Sequence, residues 1–371
     1  MTDNHDFVRF ESVEKSYDGI TQVVKGVSFG VAKGEFLTML GPSGSGKTTC
    51  LQMIAGFQSI TSGEIFVGDR PVSRIPPHKR GIGVVFQSYA LFPHMTVGQN
   101  IAYPLEVRGV SRSDRVARVQ KILGMMRLDG FIDRRPAELS GGQRQRVAVA
   151  RALVFNPELV LMDEPLGALD KQLREVMQYE IKRIHEQFGI TTIYVTHDQT
   201  EALVMSDRVA VFNDGVIQQL APPDGIYEQP ANTFVASFIG DNNLIPGRVA
   251  RIADGRVGVE VDAWGTIDAV AAGAAAIGDN VTLSIRPERV IVHADQAPGA
   301  PGWPAHVAEV TYVGDHFRIV LNVAGAHSIV AKLGHLDNGG LHKGQAVTFG
   351  FPERHCRCLD GYSAPASAGL D

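Results

Sequence analysis

The sequence predicts an α/β domain built on a parallel sheet, followed by a small all-β domain. Gly41-Pro-Ser-Gly-Ser-Gly-Lys-Thr-Thr49 has the spacing G-x-x-x-x-G-K-[ST], between an apolar strand-like run (35–40) and a breaker-free helical one (49–55). Glu158-Leu-Val-Leu-Met-Asp163-Glu164 is an apolar run ending in two carboxylates, the pattern of a parallel strand buried on both faces. From about residue 241 the composition shifts. Short strand-like stretches follow at 245–251, 256–262, 281–286, 306–313, 317–323, 327–333 and 346–351, separated by Gly, Asp and Pro. Such spacing of turn signals predicts a small β-barrel or sandwich.

Whole-chain quantities bound the function. A length of 371 residues suggests two or three domains. Hydrophobic content of 44% and charged content of 20% suit a folded, soluble globular protein. A net charge of −5 gives no support to general nucleic-acid binding. The acidic, polar start does not read as a signal peptide. No run reaches the roughly 18 apolar residues of a membrane span, so any membrane role is expected to come through a partner. The nearest, 269–277, is mostly alanine and is interrupted by Gly273. Sparse cysteines (Cys50, Cys356, Cys358) suit a reducing compartment. His355-Cys-Arg-Cys358 offers too few ligands for a tetrahedral metal site.

In chain order, 7–17 and 20–31 read as strands, 62–68 as a short strand between glycines, and 82–87 as another ending at Gln87. Gly81 and Gly83 lack the third glycine and the helix of a dinucleotide fingerprint. Residues 96–155 read as helical. Ser111 or Ser113 caps a helix over 114–128, and Leu139-Ser-Gly-Gly-Gln143 opens one over 144–155. Arg144, Arg146 and Arg151 read as a solvated helix face. An amphipathic helix is expected over 168–188, with Leu169, Leu173, Val176, Ile181, Ile184 and Phe188 on its apolar side and Gly189 ending it. A β-branched strand over 190–195 leads to His197, and 209–220 reads as a hairpin turning at Asn213-Asp-Gly215. Residues 361–371 read as a loose tail.

The chemistry gathers on the sheet edge where open α/β sheets bind ligands. Gly41, Pro42, Ser43, Gly44, Ser45, Gly46, Lys47, Thr48 and Thr49 form a loop whose N–H groups cradle phosphates, with a helix N-terminus behind it. Lys47 is expected on the β- and γ-phosphates and the Thr48 hydroxyl on Mg²⁺. Asp163 suits the Mg²⁺ shell and Glu164 a general base for water. Gln87, at a strand end, suits a metal or water, and His197 a γ-phosphate contact. Ser140, Gly141, Gly142 and Gln143 sit at a helix start and make a second anion site. Tyr17, read alone, is an ordinary strand-end tyrosine.

As a set, 41–49, Gln87, 139–143, 159–164, Leu166-Gly-Ala-Leu-Asp170 and His197 resemble the ATP-binding subunit of an ABC transporter. The resemblance covers roughly residues 7–240. The region 241–371 is similar to the OB-like TOBE domain of importer ATPases. The implied fold is an α/β P-loop NTPase domain over 1–240, with a helical subdomain at about 88–157, then a small all-β TOBE domain over 241–371. Phe86 to Val97 and Phe238 to Leu244 resemble polyamine-type (spermidine/putrescine) uptake ATPases; ferric-iron, sulfate and sugar importers have similar segments.

The resemblance implies an ATPase that uses ATP and Mg²⁺ and acts as a homodimer. Ser140, Gly142 and Gln143 of one copy would face the γ-phosphate held by the other. It makes Tyr17 an adenine-stacking residue. It has Gln87 sense Mg²⁺ and couple to a membrane permease through 88–110. Permease subunits and a separate solute-binding protein are the implied partners, with the chain peripheral on the cytoplasmic face of the membrane and no nucleic acid bound. A soluble ABC-type ATPase is the competing class; it commonly carries two ATPase halves, whereas each motif occurs once here. A binding module with purely structural ATP would not need Glu164 and His197.

Overall fold

The computed structural model describes residues 6–167, 169–253, 256–294, 302–324, 327–335 and 340–360. The chain forms two compact units, one ending at Pro223 and one beginning at Asp224.

The first unit has two sheets. Val8–Ser16 (β1), Gln22–Val31 (β2), Ser62–Val67 (β4) and Arg70–Pro71 (β5) form an antiparallel sheet in the order β2-β1-β4-β5. Phe36–Leu40 (β3), Gly83–Val85 (β6), Leu159–Asp163 (β7), Thr191–Thr196 (β8), Arg208–Asn213 (β9) and Val216–Ala221 (β10) form the second, in the order β10-β9-β3-β8-β7-β6. All its pairs are parallel except β9 with β10. That hairpin turns at Asp214 and Gly215, with φ of 47° and 77°, as a two-residue turn between twisted strands requires.

The unbroken apolar run of β7 has a simple cause. Leu159 and Leu161 face one core with Leu37, Met39, Ile193 and Val195; Val160 and Met162 face another with Phe36 and Tyr194. Side chains alternate between faces, so a strand covered on both sides must be apolar throughout. The first core also holds Lys47–Ala55 (α1) and the antiparallel sheet. The second holds Val97–Val107 (α2), Arg112–Met125 (α3), Gly141–Leu153 (α4) and Lys171–Phe188 (α5).

Helix boundaries sharpen the sequence reading. Thr96 and Gln99 form a reciprocal capping box on α2. Ser111, rather than Ser113, caps α3 by accepting from Asp114 N at 3.2 Å. Helix α4 begins at Gly141, three residues before the expected start, and α5 begins after its Asp170 cap. Val176 was expected on the apolar side of α5, but it is 54% exposed and its neighbour Met177 is buried.

The arginines of α4 are not a solvated face. Arg151 is buried and donates to Tyr89 O at 2.9 Å and Ala90 O at 2.8 Å. Arg144 donates to Leu139 O and Arg146 to Met126 O. Free backbone carbonyls in loops can draw a long guanidinium inward, and side-chain periodicity does not show them. Gln199–Met205 (α6) completes the unit.

The second unit starts before the compositional shift. Pro223–Glu228 (α7) and Thr233–Phe238 (α8) precede it, with Ile226, Val235, Ala236 and Ile239 buried. The Arg286 guanidinium donates to the carbonyls of Tyr227, Ile239 and Asp241. Asn243–Ala253 (β11), Arg256–Val261 (β12), Gly265–Ala271 (β13), Asn280–Ile285 (β14) and Arg357–Leu359 (β20) close a five-stranded barrel. Ile291–His293 (β15), Trp303–Tyr312 (β16), Phe317–Val323 (β17), His327–Leu333 (β18) and Ala346–Gly350 (β19) form a further sheet in the order β15-β19-β16-β17-β18. The all-β expectation holds, but β13, β15 and β20 were not foreseen. β13 runs into the alanine-rich stretch, and β20 contains Arg357 and Cys358 of the His-Cys-Arg-Cys cluster. Burial pushes the thiols of Cys356 and Cys358 above the usual cysteine range. The 361–371 tail lies outside the described residues.

Candidate nucleotide site

The loop 41–49 joins β3 to α1, and its glycines are dictated by space. A Cβ on Gly41 would stand 2.2 Å from Phe212 O. Gly46 has φ 101°, and a Cβ there would stand 2.9 Å from Val23 O. Ser43 and Gly44 form the exposed tip, while Ser45, Gly46 and Lys47 are buried. Gly46 is the N-cap of α1 with no side-chain cap, and the first turn carries no acid. The first N–H groups of α1 therefore lack side-chain acceptors, which suits an anion.

Lys47 Nζ donates to Gly41 O at 2.9 Å, Pro42 O at 2.8 Å and Ser45 Oγ at 3.2 Å. Burial pushes its ammonium below the usual lysine range, opposed by the charges of Glu164 and Asp163. Thr48 Oγ1 donates to Asp163 Oδ1 at 3.0 Å. Burial raises the Asp163 carboxyl first; Glu164 adds to this, while the Thr48 bond and Lys47 oppose it.

Glu164 follows β7 with φ 43°, and its N–H donates to Val195 O at 3.0 Å. Its Oε2 lies 3.4 Å from Gln87 Nε2 and 3.2 Å from His197 Nδ1. Strand ends of β6, β7 and β8 and the β3–α1 loop thus bring Gln87, Asp163, Glu164, His197, Lys47 and Thr48 together.

Sequence reading missed what fixes the backbone after His197. Asp198 caps α6, accepting from Thr200 N at 2.8 Å and Glu201 N at 3.2 Å. The buried Glu201 carboxylate accepts from Tyr194 OH at 2.8 Å and Thr196 Oγ1 at 2.7 Å. The signal was present as an Asp followed three residues later by Glu, a helix-start pattern.

Ser140 to Gln143 close on their own helix. Ser140 Oγ accepts from Gln143 N at 3.3 Å, and Gln143 Oε1 accepts from Ser140 N at 2.9 Å. Cβ atoms on Gly141 and Gly142 would stand 3.0 and 3.1 Å from Leu169 and Leu173, so small residues let α4 approach α5 closely. Tyr17 lies just past β1, 57% exposed, with Lys15 Nζ 4.9 Å above its ring.

The donors that could hold a divalent cation are the Thr48 hydroxyl, the Asp163 carboxylate and the Gln87 amide oxygen. Hard oxygens, two of them on residues already 3.0 Å apart, fit Mg²⁺, which keeps waters and phosphate oxygens in its shell.

Known proteins resemble this chain along most of its length. The family model for ABC transporter matches residues 24–167, and that for the TOBE domain matches residues 283–359. The spermidine/putrescine import ATP-binding protein PotA of Rubrobacter xylanophilus is 44% identical over 95% of this chain and 94% of its own length. An uncharacterised ABC transporter ATP-binding protein of Escherichia coli, YdcT, is 49% identical over 88% of each chain. The sn-glycerol-3-phosphate import ATP-binding protein UgpC of Yersinia pseudotuberculosis is 42% identical over 88% of this chain and 90% of its own. Among solved structures, the dimeric ATP-binding cassette MJ0796, in a post-hydrolysis state with ADP and Pi, aligns with TM-score 0.52 at 33% identity, covering 58% of this chain and 98% of that one. The cbiO1 cassette of Clostridium perfringens aligns with TM-score 0.56 at 28% identity, covering 60% and 90%. With such identity along nearly its whole length, the chain belongs to the family of ABC transporter ATP-binding proteins.

Proposed function

We propose that this chain hydrolyses ATP to energise a membrane importer for polyamines. The observation that carries the reading is the convergence of Lys47, Thr48, Asp163, Gln87, Glu164 and His197 beside the phosphate loop. Loop N–H groups and the α1 N-terminus bind the phosphates, and Lys47 exchanges its loop carbonyls for β- and γ-phosphate oxygens. Thr48, Asp163 and Gln87 would hold Mg²⁺, which would neutralise phosphate charge. Glu164 takes a proton from the attacking water. An oxygen–phosphorus bond forms at the γ-phosphate, and the bond to the bridging oxygen breaks, leaving ADP and phosphate. His197, 3.2 Å from Glu164, orients that carboxylate and contacts the γ-phosphate. Tyr17 offers an exposed ring for the adenine.

Two copies complete the site head to tail, with Ser140, Gly141, Gly142 and Gln143 of one facing the phosphate bound by the other. One phosphate loop and one such helix start per chain support this, and MJ0796 is dimeric. The permease is the membrane anchor, which places the chain on the cytoplasmic face; no helix among the described residues is long and apolar enough to cross a membrane. An apolar cavity of about 530 Å³ bordered by Phe86, Phe92, Tyr103, Val107 and Phe155 supports permease docking near the Gln87 segment. A separate solute-binding protein delivers the solute to the permease.

Several relatives are named for spermidine/putrescine import, and this supports polyamines as the solute. The test is ATPase activity of the chain reconstituted with its permease and binding protein in proteoliposomes. Spermidine or putrescine should stimulate turnover. Stimulation by sn-glycerol 3-phosphate, iron, sulfate or a sugar instead would reassign the solute and keep the ATPase.

A further inference from the structure

Far along the chain from the nucleotide residues, the second unit contains a cavity of about 430 Å³. Arg286, Arg289, Arg354 and Arg357 line it, with Glu228 as the carboxylate among the lining residues. These arginines are not equally engaged. Arg286 is buried and committed to backbone carbonyls of its own unit. Arg289 Nη2 meets Glu228 Oε1 at 2.8 Å, but its Nε is buried with no hydrogen-bond partner. Arg357 Nε is likewise buried without a partner. Arg354 is exposed, and its Nε donates to His355 Nε2 at 3.1 Å. A ring nitrogen that accepts from a guanidinium carries no proton there. Burial, then Arg289 and Arg354, hold this imidazole below its ordinary value.

The wall therefore keeps a cationic excess at neutral pH, with His355 adding none. Buried N–H donors normally find partners, and two here lack them beside further guanidiniums. Guanidiniums match planar or tetrahedral oxyanions through paired, charge-assisted bonds. The volume exceeds what one phosphate group needs and admits a small organic body against Tyr227 and Val270, which also line the cavity. From these placements we propose that the cavity binds a small phosphate ester, held by Arg289, Arg354 and Arg357. Its lining shares no residue with the phosphate loop, and the proposal does not depend on the ATPase reading.

The test uses the full chain carrying Lys47→Ala, which weakens the phosphate loop's own affinity. Isothermal titration calorimetry is run with ribose 5-phosphate, inorganic phosphate and ribose. Ribose 5-phosphate should bind at one site per chain and ribose should give no heat. Inorganic phosphate binding as tightly as the ester would overturn the organic part of the assignment. Adding Arg354→Gln or Arg357→Gln should each weaken ester binding about tenfold or more, the loss of one charge-assisted bond. Arg354 is exposed, so its variant tests the site without threatening the fold; unchanged thermal melting checks this. Ester affinity equal in the parent and the Arg354→Gln chain, or no ester binding, would overturn the proposal.

Discussion

Two helix starts in the first unit carry glycine-rich sequence, and they are built differently. The N-terminus of α1 has a glycine N-cap and no side chain closing it. The N-terminus of α4 has a complete capping box, Ser140 with Gln143. A capping box uses two backbone donors that would otherwise be orphaned. Helix α4 is thus self-sufficient at its start, and the anion contact proposed for it would be an addition. Helix α1 leaves its first donors without side-chain acceptors, and its buried lysine is held by three oxygens of the loop. On the reading proposed above, the contrast separates a start that serves a ligand bound by its own chain from one that would meet a ligand brought by another.

The largest expected effect on ATP affinity is at the first start. Lys47→Ala removes the ammonium that reaches the phosphates, and ATP affinity should fall by about 100-fold, two charge-assisted bonds' worth. Fluorescent-nucleotide titration measures this, and the variant should stay monomeric with ATP; parental affinity would break the contrast at α1. Next is Glu164→Gln, which keeps size and hydrogen bonding but not basicity. Hydrolysis should drop about 10²–10⁴-fold, the contribution of a positioned general base, while ATP binding persists. Size-exclusion chromatography with ATP and Mg²⁺ should show an accumulated dimer. Turnover near the parent rate would move the base role to His197.

Ser140→Phe tests the second start. Turnover should be lost while ATP affinity of the monomer stays within about twofold, because the cap affects local helix stability by only about 1 kcal/mol. A monomer with full turnover would dissolve the composite site. The smallest effect is expected from shortening the chain. A chain ending at Ala221 should bind Mg-ATP like the parent, as every phosphate-site residue precedes 200. One ending at 240 should bind equally but melt less cleanly, since α7 and α8 would be left without their partners in the second unit. Loss of binding in a folded chain ending at Ala221 would show that the units are not independent.

Much of this was legible in the sequence because phosphate chemistry constrains spacing. The loop 41–49 tolerates no other residue at Gly41 for steric reasons, and β7 must be apolar throughout because both its faces are covered. Strands at period two and the Ser caps of α3 and α4 were readable from local pattern, whereas the Thr96, Asp170 and Asp198 caps were not read. What escaped depended on distant backbone. Arg151 looks like any surface arginine until the Tyr89 and Ala90 carbonyls are placed beside it. β20 is three residues long and pairs with β13 and β14 from far along the chain, which no local pattern encodes. The arginine cavity is assembled from α7, the end of β14 and the approach to β20, segments about sixty residues or more apart.

Arg151 also has a mechanical consequence. Tyr89 and Ala90 have φ of 61° and 44°, a conformation costing about 1–2 kcal/mol per residue. The two bonds from Arg151 are of the size needed to hold it. Arg151 lies in the last turn of α4, and Ser140 caps the first, so a rod roughly 20 Å long joins them. Stiffness makes the rod a transmitter. A displacement at its capped end would carry the guanidinium at the other, and with it the hold on the left-handed pair that follows Gln87. The second copy proposed to meet Ser140 would in this way act along α4 on the segment that follows Gln87.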